Sequence, residues 1–184
     1  VASALAELRD RPFELLLEFE RRSRVAASGR GQEGAQQEEW VGVAFRVNEV
    51  RLVSARQEVR EVLVWPGVTG LPGAKPWLLG LANVRGQLLP ITDLNSFFGG
   101  EPTVIGRSTR VVVVNHPDIA VGLLVDEVRG FRRFVASEKT DELSGMPQGM
   151  TPFLAGAYVT DDDTWAVLGL HGLVESAVFL QAAR

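Results

Sequence analysis

Few residues in this chain have the types and spacings that covalent chemistry requires. His116 and His171 are the only histidines, and cysteine is absent. Neither histidine has a carboxylate or a second histidine at ligand spacing along the chain, so both read as structural or surface residues. Asp161-Asp162-Asp163 carries the charge of a calcium loop. An EF-hand loop, however, alternates its ligands around a central Gly and closes on a Glu, and neither feature follows here. A charged β-turn is the better reading. The glycines build no Gly-x-x-x-x-Gly-Lys-Ser/Thr phosphate cradle, and Ser23, Ser54, Ser96 and Ser108 lack the context of a nucleophile elbow. The residue types point to binding rather than catalysis, with no metal and no cofactor expected.

One pair stands out by placement instead of reactivity. Glu61 lies in Glu58-Val59-Arg60-Glu61-Val62, where charged and apolar residues alternate. Arg85 lies in Asn83-Val84-Arg85-Gly86, between the apolar segments Leu78–Val84 and Leu88–Leu94. Taken singly, Glu61 is a solvated strand residue and Arg85 an ordinary turn cation. Taken together, a planar guanidinium forked onto a carboxylate would hold the shape of an exposed turn that meets a partner. An ion pair between Glu61 and Arg85 is therefore expected.

The elements that must position this pair are short and mostly β. Residues 40–47 alternate, with Val41, Val43, Phe45 and Val47 on one face, as in a half-buried strand. Val50–Val53 follows the Asn48-Glu49 turn, one helical turn is expected near residues 55–59, and a strand over Glu61–Trp65 stops at Pro66-Gly67. Leu78–Val84 and Leu88–Leu94 form a hairpin about Arg85-Gly86. Arg110–Asn115 and Ile119–Val125 form another, which Asp126–Val135 extends. Phe153–Thr160 and Trp165–Leu170 form the last, followed by a short helix around Leu173–Val178. Aligning Gly80 with Gly156 carries Leu94 onto Leu170 without a gap, which suggests an internal repeat, although short hairpins resemble one another in any case.

Before these strands, residues 1–27 read as a helix. Asp10 is its N-cap candidate, Pro12 lies in its first turn, and Phe13, Leu16, Leu17 and Phe19 form an apolar stripe. The polar, Gly- and Gln-rich stretch 28–39 reads as a linker, leaving 40–180 as the β domain. The Val at position 1 suggests that the natural sequence begins upstream. At 46% hydrophobic and 23% charged residues the composition suits a globular protein. A net charge of −4 with both signs interspersed makes nucleic acid an unnatural partner. No apolar run has the length of a membrane span, so no direct membrane insertion is expected, and the lack of cysteine agrees with a reducing cytoplasm.

Several ordered motifs identify a resemblance: Glu58-Val59-x-Glu61-Val62, Leu71-Pro72-Gly73, Gly80-x-x-Asn83-x-Arg85-Gly86, Pro90-x-x-Asp93-Leu94 and Gly122-Leu123-Leu124-Val125-Asp126-x-Val128. Together they resemble the CheW family of chemosensory adaptors over residues 40 to about 178. Pro12-Phe13-Glu14-Leu15-Leu16 and Pro76-Trp77-Leu78-Leu79-Gly80 are similar to its PilI-type branch, associated with type IV pilus twitching motility. The resemblance implies a mainly β fold of two intertwined five-stranded SH3-like β-barrels sharing a core, with an N-terminal α-helical extension and no enzymatic activity. It implies two partners: the regulatory domain of a CheA-type histidine kinase, and the cytoplasmic helical tip of a methyl-accepting chemoreceptor held in a groove between the lobes. It also implies a cytoplasmic location at membrane-associated receptor arrays. Val59, Glu61, Asn83, Arg85 and Gly86 fall in the region of these contacts, undivided between kinase and receptor. His171-Gly172 departs from the family pattern after the last strand, with an effect expected only on a helix cap. Two other readings remain: a flagellar-type CheW adaptor, and a small-molecule-binding β-barrel with Trp40, Trp65, Trp77 and Trp165 lining a pocket.

Overall fold

The computed structural model describes residues 39–143, 145–160 and 163–182. The helix expected over 1–27 lies outside the described residues. So does the linker over 28–39, except Glu39, which opens the first strand. The strands are β1 (Glu39–Val47), β2 (Val50–Ala55), β3 (Val59–Val64), β4 (Leu78–Val84), β5 (Gln87–Asp93), β6 (Arg110–Val114), β7 (Gly122–Val125), β8 (Glu127–Val135), β9 (Lys139–Thr140), β10 (Leu154–Val159) and β11 (Thr164–Leu168). Three short helices interrupt them: α1 (Leu94–Phe97), α2 (Leu170–Val174) and α3 (Ala177–Leu180).

The strands assemble into two mixed sheets. One has the order β3-β6-β7-β5-β4, and the other β8-β1-β2-β11-β10-β9. The second is five strands plus the two-residue edge piece β9, so the expected pair of five-stranded units is present. Each sheet takes strands from both halves of the chain. β1-β2 is completed by β8, β10 and β11, while β6-β7 is completed by β3, β4 and β5. The chain crosses between sheets twice: through the 3-10 turn Arg56–Glu58 before β3, and through Asp126 before β8. Asp126–Val135 thus does not extend the β6-β7 hairpin. β8 pairs with β1 over Glu39–Arg46, because β7 has no free edge: β6 and β5 already occupy its two sides.

Side-chain alternation divides the interior into three layers. Val112 and Val114 of β6 join Leu123 and Val125 of β7 in a core shared with Phe45, Leu52, Ala166 and Leu168 of the other sheet. Val111, Val113 and Leu124 point the opposite way, into a cluster with Ala82, Leu89 and Ile91 inside their own sheet. In the other sheet Ala44, Val53, Phe134, Tyr158 and Trp165 do the same. Phe134 of β8 stacks on Tyr158 of β10 with ring centroids 4.6 Å apart, although β1, β2 and β11 separate these strands in the sheet. The sheet is curled so that its ends meet, as in a small barrel.

The suggested repeat is visible in the geometry. Gly80 and Gly156 both have positive φ, +144° and +116°. A Cβ on Gly80 would sit 2.2 Å from the Thr69 carbonyl oxygen, and one on Gly156 would sit 2.9 Å from that of Thr140. The next residues, Leu81 and Ala157, bridge to Thr69 and Thr140 respectively. The second strands of both hairpins then pair in parallel, β5 with β7 and β11 with β2. The helix expected around Leu173–Val178 is instead the pair α2 and α3, separated where the Ser176 hydroxyl accepts a hydrogen bond from the Phe179 N–H at 3.3 Å.

A polar lock holds the second crossing. Asp93, 1% exposed, accepts hydrogen bonds from the Asn95 N–H (3.1 Å), the Ser96 hydroxyl (2.8 Å) and the N–H and hydroxyl of Thr103 (2.9 and 2.6 Å). Asn95 in turn donates its amide to Asp126 Oδ2 at 3.1 Å, which also accepts from the Asn48 N–H at 2.6 Å. Asp93 is buried and Asp126 half-buried, both with their partners supplied, which is the condition for keeping them there.

Gly80→Ala is expected to lose about 1–3 kcal/mol more stability than Gly67→Ala. Both positions have positive φ, but only Gly80 meets a backbone carbonyl. Urea unfolding of the two variants measures the difference.

Candidate partner-binding site

The β4-β5 hairpin closes on a two-residue turn between Val84 and Gln87. Both central residues have positive φ, +51° at Arg85 and +83° at Gly86, the pairing that matches the right-handed twist of hairpin strands. A non-glycine residue with positive φ needs local support. Asn83 supplies it: its side-chain oxygen accepts a hydrogen bond from the Gly86 N–H at 3.0 Å. Arg85 is therefore held outward, with its side chain 77% exposed.

Its guanidinium reaches Glu61 across the curl of the sheet. Arg85 Nη2 lies 2.9 Å from Glu61 Oε2, as the sequence leads one to expect, although β3 and β4 are opposite edges of the sheet order. A half-exposed pair of this kind is worth about 0–1 kcal/mol in water. Its effect is to set the direction of the arginine, not to stabilise the fold. Behind the pair lies a cavity of about 210 Å³ between Arg60, Val84, the exposed Leu88 and His116. Val59 sits across the strand at its start, half-buried against the shared core and paired in register with Val114. The structure thus gathers Glu61, Asn83, Arg85 and Gly86 around one turn and leaves Val59 on the neighbouring face.

Val59 belongs to a second concavity of about 560 Å³, between the starts of β3 and β8. It is lined by Val43, Val62, Val128, Phe131, Arg56 and Arg60 besides Val59. Phe131 is 66% exposed there. Glu61 also reaches this lining, and apart from Val59 and Glu61 none of these residues stood out in the sequence as a contact residue. The available signal was Gly130 inside a strand, which marks a bulge or a close approach.

The histidines take structural roles, although the sequence did not indicate that they meet. Separated by 55 positions in sequence terms of their numbers, His116 and His171 pack edge to face with centroids 5.1 Å apart. Nδ1 of His116 accepts from the N–H groups of Asp118 and Ile119, both at 3.1 Å, which leaves its proton on Nε2, 2.9 Å from Glu175 Oε1. His171 donates from Nε2 to the Asn115 carbonyl at 2.7 Å. Both rings are committed to structure, and no group of three metal-ligating residues occurs among the described residues. His171 also does not act as the helix cap. That role falls to Glu58, whose carboxylate accepts from the Leu170 N–H at 2.9 Å, beside Gly169, which has no capping side chain. The four tryptophans line no common pocket. Trp40 and Trp165 pack within one sheet, Trp65 within the other, and Trp77 stacks on Phe179 near the helices.

Comparison with known proteins gives one consistent answer. The profile of the CheW-like domain matches residues 41–178. The protein PilI of Pseudomonas aeruginosa is 38% identical over 172 residues, covering 94% of this chain and 96% of that protein. The chemotaxis protein CheW of Bacillus subtilis is 28% identical over 108 residues, covering 59% of this chain and 67% of that protein. The crystal structure of the scaffolding protein TtCheW from Thermoanaerobacter tengcongensis superposes with a TM-score of 0.66 at 24% identity, covering 76% of this chain and 94% of that one.

Glu61→Gln is expected to change the stability of the chain by less than about 1 kcal/mol, because the pair is largely exposed. A loss of several kcal/mol in chemical denaturation would make the pair a fold determinant and contradict the positioning role.

Proposed function

Because the chain belongs to the CheW-like family, we propose that it is a non-enzymatic adaptor coupling methyl-accepting chemoreceptors to a CheA-type histidine kinase. The system it serves controls type IV pilus twitching motility. The full-length similarity to PilI supports the pilus branch over a flagellar adaptor, since the match to the Bacillus subtilis CheW spans a smaller share of the chain. The β domain over 40–180 carries the adaptor surfaces, while the helix expected over 1–27 and the linker over 28–39 lie outside the described residues. The protein works in the cytoplasm at receptor arrays. No helix among the described residues is long and apolar enough to cross a membrane.

The observation that carries this reading is the Arg85 turn. An exposed guanidinium, held by Asn83 and Glu61 and bordered by exposed Leu88, has the preorganised charge and apolar rim of an interface anchor. Val59, Glu61, Asn83, Arg85 and Gly86 are its contact region. The groove between the starts of β3 and β8 receives the receptor's helical tip. An adaptor of this kind needs no chemistry of its own; it acts by favouring one arrangement of the proteins it joins.

Calorimetric titration with the regulatory domain of the cognate CheA-type kinase, and separately with a soluble receptor-tip coiled coil, tests the reading. Wild-type protein is expected to bind both saturably. Arg85→Ala is expected to weaken one of them by about tenfold or more, and Arg85→Lys to recover only part of the loss, because lysine lacks the planar fork. Failure of folded wild-type protein to bind either partner would refute the adaptor role.

A further inference from the structure

The groove between β3 and β8 has a charge character of its own. Both strands are sheet edges, and each carries a bulge at the groove. In β3, Val59 pairs with Val114 and Glu61 with Val113, so Arg60 is the extra residue. In β8, Gly130 pairs with Ala44 and Val128 with Phe45, so Arg129 is the extra residue. Bulges re-aim side chains at strand edges. Here the β3 bulge presents Arg60 beside an apolar floor, while Gly130 and Phe131 follow the β8 bulge on the opposite wall.

The neutralisation of these cations is uneven. Arg129 lies 3.4 Å from Glu127, and Glu61 is already taken by Arg85. Arg60 has no carboxylate partner among the described residues. Arg56 has none either; its guanidinium carbon lies 5.6 Å from the centre of the exposed Phe131 ring. A cation over an exposed ring keeps the ring face covered while leaving its own outer N–H groups open to an anion. The floor below, formed by Val43, Val59, Val62 and Val128, is apolar. Removing these valines and Phe131 from water is favourable, whereas burying Arg56 and Arg60 without counter-charges is costly.

We propose that Arg56 and Arg60 make this groove selective for an amphipathic helix whose apolar face is flanked by carboxylates, with Phe131 as the ring that the helix covers. The inference rests on the receptor reading above and adds the chemical character that the receptor's helical tip must have. The carboxylates replace water around the two guanidiniums as Phe131 and the valines become buried. Arg56 and Arg60 are then specificity determinants, distinct from Arg85, whose guanidinium is occupied by Glu61.

The test is titration of the full chain with a soluble coiled-coil fragment carrying the cognate receptor tip, at low and physiological salt. The R56E/R60E variant should bind the fragment about tenfold or more weakly, and R56K/R60K within a few-fold of wild type. Wild-type affinity should fall with added salt, and that slope should shrink in R56E/R60E. Arg107→Glu, an exposed cation in the loop before β6, controls for charge reversal outside the groove and should leave binding unchanged. Equal affinity of R56E/R60E and wild type, or an equal loss in Arg107→Glu, would overturn the proposal while leaving the receptor reading intact. A wild-type chain that binds the kinase domain but not the receptor tip would overturn the receptor reading, and this proposal with it. A far-ultraviolet circular dichroism spectrum and urea midpoint for R56K/R60K and R56E/R60E that match wild type verify that the variants are folded, so that loss of receptor binding in R56E/R60E counts for the selective groove.

Discussion

Strand exchange between the two halves of the chain is the constraint on which the rest of the structure depends. β1-β2 cannot finish its sheet without β8, β10 and β11, and β6-β7 cannot finish its own without β3, β4 and β5. The two crossings that make this exchange, at Arg56–Glu58 and Asp126, bring the starts of β3 and β8 together as walls of one groove. The shared core, with Phe45 and Leu52 against Val112 and Leu123, locks the lobes face to face. Close-packed interiors of this kind transmit position rather than absorb it. The groove and the Arg85 turn are consequently held by the same scaffold.

Within that scaffold the proposed contact region is held by weak interactions, each with a directional effect. The Asn83–Gly86 hydrogen bond supports two positive φ values, and the Glu61 carboxylate aims a guanidinium. Neither contributes much to stability, which comes from the buried valines and leucines of β6 and β7. This separation suits a binding module: side chains that meet partners can vary while the β core remains intact.

Much of this was legible in the sequence because the signals are local. The alternation in residues 40–47, the Asn83-Val84-Arg85-Gly86 turn and the spacing of Gly80 from Gly156 each encode a backbone geometry. The Glu61–Arg85 pair was legible through its charge complementarity and its two strand contexts. What was not legible is non-local. Whether β8 pairs with β7 or β1 depends on whether the distant strand β5 has already taken the open edge of β7, and no turn residue reports that. The contact of His116 with His171, the capping of α2 by Glu58, and the scatter of the tryptophans follow from the exchange of strands. Arg56 and Phe131 come together only because both crossings lie at one groove. The helical N-terminus and its linker remain sequence expectations outside the described residues.

The central claim is bridging: one chain occupied at two places at once. Sedimentation velocity of the chain mixed with the CheA-type regulatory domain and the receptor-tip coiled coil measures this most directly. Bridging predicts a ternary species that sediments faster than either binary complex and contains all three components. Displacement of the kinase domain by the receptor tip, leaving only binary complexes at saturating concentrations, would contradict it.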